Sequence, residues 1–184
     1  MKYQIILADP PWPVKKIIRR VRPNQTEMDY PTMSVEAIQA LPVASIADAN
    51  ATLWLWTTHK FLPLAFDVMA AWGFHYQRTI TWDKGNGMCL FGFHNRTEFL
   101  LFGYKGKLEM YPRRRAVPTL FIAPSPRHSE KPPAIRLAIE TFGAPRIELF
   151  ARQKVAGWDS IGFDIDNCDI RESLDRLNQS TTVS

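Results

Sequence analysis

Cysteine is scarce. Only Cys89 and Cys168 occur among 184 residues, too few for a disulfide framework and not at metal-ligand spacing. The four histidines, His59, His75, His94 and His128, are scattered, and none makes a pair at metal-binding spacing, so no metal is expected. No apolar run approaches the ~18 residues of a membrane span. Met1-Lys2-Tyr3-Gln4 leads into no apolar segment with a small-residue cleavage site. Membrane insertion and secretion are therefore not expected, and a reducing cytoplasm is. A Gly-x-Gly-x-x-Gly fingerprint and a Gly-Lys-Ser/Thr phosphate loop are both missing, which disfavours ordinary dinucleotide dehydrogenases and nucleotide triphosphatases. No internal repeat and no nucleophilic Ser or Cys arrangement stands out.

What is present is ordinary globular chemistry with a basic tilt. At 46% hydrophobic and 22% charged residues the chain can bury a core, and its length suits one domain. The formal charge of +5 leans toward a polyanionic partner. Six tryptophans and eleven phenylalanines can serve either a core or a base-stacking surface.

Strand and helix patterns alternate along the chain. Tyr3–Ala8 is a short apolar run stopped by Pro10 and Pro11, which cannot donate to a ladder. Residues 13–31 read as a basic loop carrying Lys15, Lys16, Arg19, Arg20 and Arg22. Ser34 is placed to cap a short helix toward Leu41, with Glu36 in its first turn. Thr52–Thr57 is a second strand, and Leu62–Trp72 a helix that Gly73 ends. Tyr76–Trp82 is a third strand, Asp83–Asn95 a glycine-bearing loop, and Glu98–Tyr104 a further strand. Leu120–Ile122 is a candidate strand, preceded by Arg113-Arg114-Arg115. Lys131–Phe142 is expected to be helical, Arg146–Phe150 a strand, Ile170–Leu177 a short charged helix, and residues 178–184 a polar tail. Trp54, Trp56 and Trp72 are expected in the core. Such alternation predicts an α/β sheet covered on both faces.

Asp9-Pro10-Pro11-Trp12 is the most informative segment. A strand that ends in a rigid polar loop is what an α/β sheet presents at its carboxyl edge, where ligands bind. A carboxylate there accepts a hydrogen bond from an amino group, and the Pro10 carbonyl can accept a second. Two acceptors on one exocyclic amine draw its lone pair out of ring conjugation and make the nitrogen a better nucleophile. The Trp12 indole offers an apolar face to an aromatic base, although a bare turn with Trp12 in the core fits the tetrapeptide as well.

The tetrapeptide resembles the DPPW motif of the adenine-specific N6-methyltransferases related to the catalytic subunit of the eukaryotic mRNA adenosine methyltransferase, a family with bacterial and phage members. Further segments follow in that family's order: Tyr30-Pro31-Thr32-Met33-Ser34, Leu53–Thr57, Ala71-Trp72-Gly73-Phe74, Trp82-Asp83-Lys84, His128-Ser129-Glu130-Lys131-Pro132, Ile147–Arg152 and Gly157-Trp158-Asp159. The resemblance covers residues 3–165, leaving 166–184 as a charged helix and polar tail outside the methyltransferase domain.

This resemblance implies a Rossmann-like, mostly parallel seven-stranded methyltransferase sheet, permuted so that the catalytic motif comes first and the cofactor strand last. It implies S-adenosylmethionine as cofactor. Asp9 and Pro10 would hold the target amine within the catalytic Asp9–Trp12 motif, while Trp12 and Tyr30 pack on the base and Lys84 joins the substrate contacts. Cofactor contacts would come from Asp9, Ser129, Lys131, Glu148, Phe150, Arg152 and Asp164, with Lys131 facing the methionine carboxylate. Gly162-Phe163-Asp164 departs from the Gly-Asn pair usual in the family, and Asp164 could accept from ribose hydroxyls in its place. Arg96 and Glu98 resemble a polar pair of the family's hairpin without an assigned role.

The expected reaction is methylation of the adenine 6-amino group in DNA in a bacterial or phage-infected cytoplasm. The sulfonium is already an activated donor, so positioning and preorganised polar groups carry the rate. A duplex substrate would need its base extruded at a cost of a few kcal/mol. One aromatic stack returns about 1–3 kcal/mol, so Trp12 alone would offset only part of that. Lys15, Lys16, Arg19, Arg20 and Arg22, with Arg113, Arg114 and Arg115, are the candidates for phosphate contact. The chain starts almost at the catalytic strand, so specificity is expected from its own loops or from a partner subunit, and the expected assembly is a homodimer or a complex with such a subunit. RNA as substrate and a catalytically silent nucleic-acid-binding subunit are the alternatives. Intact Asp9 speaks against the silent subunit and Phe163 for it. Methylation of cytosine or of a glutamine side chain ranks last.

Overall fold

Asp9-Pro10-Pro11 ends the first strand where proline must. In a computed structural model, which describes residues 2–13, 32–108, 116–125 and 131–182, β1 spans Tyr3–Ala8. The elements that follow are α1 (Val35–Gln39), α2 (Val43–Ile46), β2 (Ala47–Thr57), α3 (Leu62–Ala71), β3 (His75–Leu90) and β4 (Phe93–Lys105). After them come β5 (Leu120–Ile122), α4 (Pro133–Glu140), β6 (Arg146–Leu149), β7 (Asp159–Ile161), α5 (Phe163–Asp166) and α6 (Ile170–Thr182).

The seven strands form one sheet in the order β5-β3-β4-β2-β1-β6-β7. β1 lies between β2 and β6, parallel to both, with Ala8 opposite Leu55 on one side and Leu149 on the other. β6 pairs parallel with β7, and β3 with β5. Only β4 runs against its neighbours β2 and β3. The mostly parallel, seven-stranded α/β sheet expected from the sequence is therefore the observed fold. The reversal of β4 matters for the site, because it brings the amino end of that strand to the edge where the other six end.

Strand alternation sorts the core into two layers. Ile6, Leu53, Leu55, Leu101 and Ile147 face one way, toward Ile38 of α1, Val68 and Met69 of α3 and Leu174 of α6. Ile5, Leu7, Trp54, Trp56 and Leu100 face the other, toward Ile135 and Ile139 of α4. Covered on both faces, the central strands read as continuous apolar runs. The Trp72 indole donates to the Ile38 carbonyl at 2.9 Å, tying the end of α3 to α1. Ser34 Oγ accepts from the Ala37 amide at 3.1 Å, the expected cap. Gly73, with φ +80, ends the third helix in the left-handed conformation that glycine adopts without strain.

Several sequence expectations need correction. Asp83–Asn95 is not a loop: β3 continues to Leu90 and β4 begins at Phe93, with Met88 opposite Asn95 and Leu90 opposite Phe93. Gly85 and Gly87 hide the strand signal, whereas cross-strand pairing and the double hydrogen bond from Arg96 to Asp83 (2.7 and 2.6 Å) supply it. β2 starts at Ala47, and Phe150 leaves β6 in the left-handed region at φ 61. Helix α4 covers Pro133–Glu140, with Pro132 as its N-cap. The last helix continues past Leu177 to Thr182, because Leu174 is buried and the Asn178 amide donates to Ser45 Oγ at 2.6 Å. The short β7, α2 and α5 carry too few residues for a periodic signal.

Close packing of β4 against α3 sets a stability test. A Cβ on Gly103 would lie 2.6 Å from Met69 Sδ and 2.9 Å from the His75 carbonyl oxygen. Gly103→Ala should lower unfolding free energy by about 1–3 kcal/mol in urea titrations, through overpacking. An unchanged midpoint would contradict this packing.

Candidate active site

The loop after β1 is held by its own backbone. The Trp12 amide donates to the Pro10 carbonyl at 2.8 Å, and the Met33 amide to the Pro11 carbonyl at 2.9 Å. Among the described residues the bond from Trp12 is the one backbone hydrogen bond that the Pro10 carbonyl accepts. The Trp12 indole donates to the Trp56 carbonyl at 3.0 Å. Its ring stacks on Phe61 with centroids 5.5 Å apart and 13° between planes, and only 5% of the residue is exposed. The open stacking platform expected of Trp12 is corrected: one face is already covered, and the residue anchors the loop to β2 while touching the cavity at its wall.

A chain of alternating charges crosses the carboxyl edge of the sheet. Asp9 Oδ2 lies 2.9 Å from Lys131 Nζ, which lies 3.1 Å from Glu98 Oε2. Glu98 Oε1 in turn accepts from Lys84 Nζ at 2.9 Å. Asp9 comes from the end of β1, Lys84 from β3, Glu98 from reversed β4, and Lys131 from the approach to α4. The Lys131 ammonium also stands 5.2 Å from the Trp56 ring centroid. Burial disfavours its charge, but attraction and hydrogen bonds from Asp9 and Glu98 outweigh this and raise its proton affinity above the ordinary lysine value. Burial likewise pushes the Glu98 carboxyl up. The charge of Lys131 and the hydrogen bond and charge of Lys84 reverse that and leave it below its ordinary value.

This chain borders a cavity of about 480 Å³. Of the residues the sequence singled out, Asp9, Pro10, Pro11, Trp12, Lys131, Phe150, Arg152 and Asp164 gather on its walls. The left-handed turn at Phe150 bends the chain out of β6, so that Phe150, Ala151 and Arg152 line the cavity together. Two candidates fall elsewhere. Glu148 accepts two hydrogen bonds from Arg136 of α4, at 2.7 and 3.0 Å, and is absent from the cavity wall. Lys84 is committed to Glu98 rather than placed on the wall. Tyr30, Ser129, Lys15, Lys16, Arg19, Arg20, Arg22, Arg113, Arg114 and Arg115 lie outside the described residues. Sequence reasoning assigned no role to Glu98 and did not foresee Thr58, Cys168, Asp169 or Ile170 on the wall. The last three sit where the chain passes from α5 into α6, a proximity without a local sequence signal.

The donor set of this cavity suits an amino acid joined to a nucleoside. An ammonium ion and several carboxylates complement a zwitterion and ribose hydroxyls. Phe150 and Phe163, the latter 59% exposed at the rim, offer flat apolar walls to a purine. A mostly parallel seven-stranded sheet with that cavity beyond its carboxyl ends defines a Rossmann-like methyltransferase that uses S-adenosylmethionine. The chain belongs to the MT-A70 family of N6-adenine methyltransferases, which its residues 3–164 match. It is 33% identical to the Type II methyltransferase M.MunI of Mycoplasma sp, over 89% of this chain and 78% of that protein. Identity is 28% to a putative N(6)-adenosine-methyltransferase MT-A70-like protein of Medicago truncatula, over 88% of this chain and 26% of that one. With the human N(6)-adenosine-methyltransferase catalytic subunit METTL3 it is 25%, over 90% and 28%. The chain thus spans most of the bacterial relative and about a quarter of the other two.

The electrostatics generate a pH prediction. Because folding lowers the Glu98 pKa, its contribution to stability is complete above the ordinary glutamate value of about 4.3 and fades as pH falls through the folded value. Glu98→Gln should destabilise the protein by about 1–3 kcal/mol at pH 7. The gap from wild type should narrow as denaturation is repeated below about pH 4. A gap constant from pH 7 to pH 3 would contradict the ion-pair assignment.

Proposed function

We propose that this enzyme transfers a methyl group from S-adenosylmethionine to the 6-amino group of adenine in DNA. The observation that carries the chemistry is Asp9, held at the end of the central strand in a rigid loop and ion-paired to Lys131 on the cavity wall. DNA is favoured over RNA by the relation to the bacterial Type II methyltransferase. That similarity is higher in identity than either N(6)-adenosine-methyltransferase named above and covers most of the relative's length. The net charge of +5 suits a polyanion.

Bound S-adenosylmethionine supplies an already activated methyl group. Asp9 and the Pro10 carbonyl accept the two hydrogens of the adenine amine and orient its lone pair along the path of transfer. Pro11 and Trp12 fix the loop that carries both acceptors. Asp9 need not act as a strong base, because the nitrogen becomes acidic once methylated and its proton then leaves. Lys131 holds the cofactor carboxylate, with Ser129 beside it in sequence. Arg152 and Asp164 bind the polar part of the nucleoside, and Phe150 and Phe163 flank its purine. Lys15, Lys16, Arg19, Arg20 and Arg22, with Arg113, Arg114 and Arg115, are the cations that contact phosphates in this reading.

Expression in cells lacking adenine methylation, followed by mass spectrometry of digested nucleic acid, tests this reading. N6-methyladenine should accumulate in DNA, and Asp9→Ala should reduce kcat by at least about 10²-fold. Methylation confined to RNA would overturn the choice of DNA. Its absence from both, in protein that binds S-adenosylmethionine, would remove the catalytic assignment.

A further inference from the structure

The long β3–β4 hairpin does no work in the site described so far. It extends beyond the residues that build the sheet, through Asp83–Leu90 and Phe93–Thr97, a reach of about 14 Å for the four steps of β4 from Thr97 to Phe93 at the usual strand rise. It leaves the same carboxyl edge that bears the cavity. Its base is fixed to that cavity by the double hydrogen bond of Arg96 to Asp83 and by the chain Lys84–Glu98–Lys131–Asp9. The hairpin is therefore anchored at its base beside Asp9.

The tip itself is a two-residue turn with an unusual occupant. Phe91 and Gly92 have φ of 52 and 81, the doubly positive pattern of a type I′ hairpin turn. Asn-Gly is the common solution there, whereas a bulky aromatic in the left-handed region is a steric outlier. Phe91 is also 94% exposed and Phe93, the next strand residue, 74%. Strain and exposed aromatic surface coincide at one point, where a single asparagine would relieve both. Between residues 84 and 97 there is no Asp or Glu, and Asp83 and Glu98 at the base are offset by Arg96 and Lys84, so the projecting part carries no net negative charge against a polyanion.

We propose that Phe91 and Phe93 form an aromatic wedge that enters the base stack of duplex DNA beside the target adenine and fills the space its extrusion leaves. Apolar side chains inserted between base steps act in this way in architectural proteins. Trp12, stacked on Phe61 and 5% exposed, offers little ring surface to offset the cost of extrusion, and a wedge restores stacking within the duplex instead. The wedge rests on the reading of DNA as substrate.

Phe91→Asn, alone and combined with Phe93→Thr, tests it. Asn-Gly suits the turn, so melting temperature should hold or rise and S-adenosylhomocysteine binding should stay unchanged. On native genomic DNA from adenine-unmethylated cells the methylation rate should fall at least about tenfold, the worth of one lost stack. On the same DNA after heat denaturation the loss should be several-fold smaller. An unchanged rate on native DNA, or equal losses on both forms, would overturn the wedge. Dissociation of a wild-type dimer by Phe91→Asn in sedimentation would instead assign the tip to a second copy of the chain and also overturn it. Failure of the DNA reading is visible separately, as wild-type protein that methylates neither form, and takes the wedge with it.

Discussion

Lys131 stands between two carboxylates drawn from strands, β1 and β4, that are not adjacent in the sheet. Asp9 and Glu98 would repel across the cavity edge if the ammonium were removed, and each is 2.9–3.1 Å from it. Lys84 closes the far side of Glu98, so the four groups sum to zero charge. A neutral, hydrogen-bonded cluster of this kind tolerates partial burial, where any one member alone would not. It also prepares the site for a zwitterion: Lys131 can turn from Asp9 toward a carboxylate, and Asp9 is then released to an amine.

The reversed β4 is what permits the cluster. In an all-parallel sheet the amino end of that strand would lie at the opposite edge, and Glu98 could not meet residues that follow β1 and β3. Reversal places Glu98 across from Trp82 in the register of β3 and beside the cavity. The same reversal lets β3 and β4 continue as a hairpin from the catalytic edge. One topological feature thus supplies both a partly buried anion and a projecting arm.

Legibility in the sequence followed the range of the forces involved. β1, the capped α1, α3 with its terminal Gly73 and the core tryptophans were readable because proline, side-chain capping and periodic burial act locally. Asp9 and Lys131 were found through motif resemblance, and the fold brings them into contact. Glu98 had no assigned role because its partners are Lys84 at fourteen residues and Lys131 at thirty-three, a meeting decided by strand order alone. Glu148 misled for the converse reason. Its place in the matching strand suggested the cofactor, yet strand alternation turns it toward Arg136 of α4. The hairpin was missed because Gly85 and Gly87 mimic a loop, and only cross-strand pairing shows otherwise.

The most direct test of a cavity organised by Lys131 is calorimetric binding of two ligands to wild type and Lys131→Met. S-adenosylhomocysteine carries the amino-acid end, and 5′-methylthioadenosine lacks it. Loss of one charge-assisted contact should weaken S-adenosylhomocysteine by about 10–100-fold while leaving 5′-methylthioadenosine nearly unaffected. Equal weakening of both ligands, or of neither, would contradict the placement of the carboxylate on Lys131.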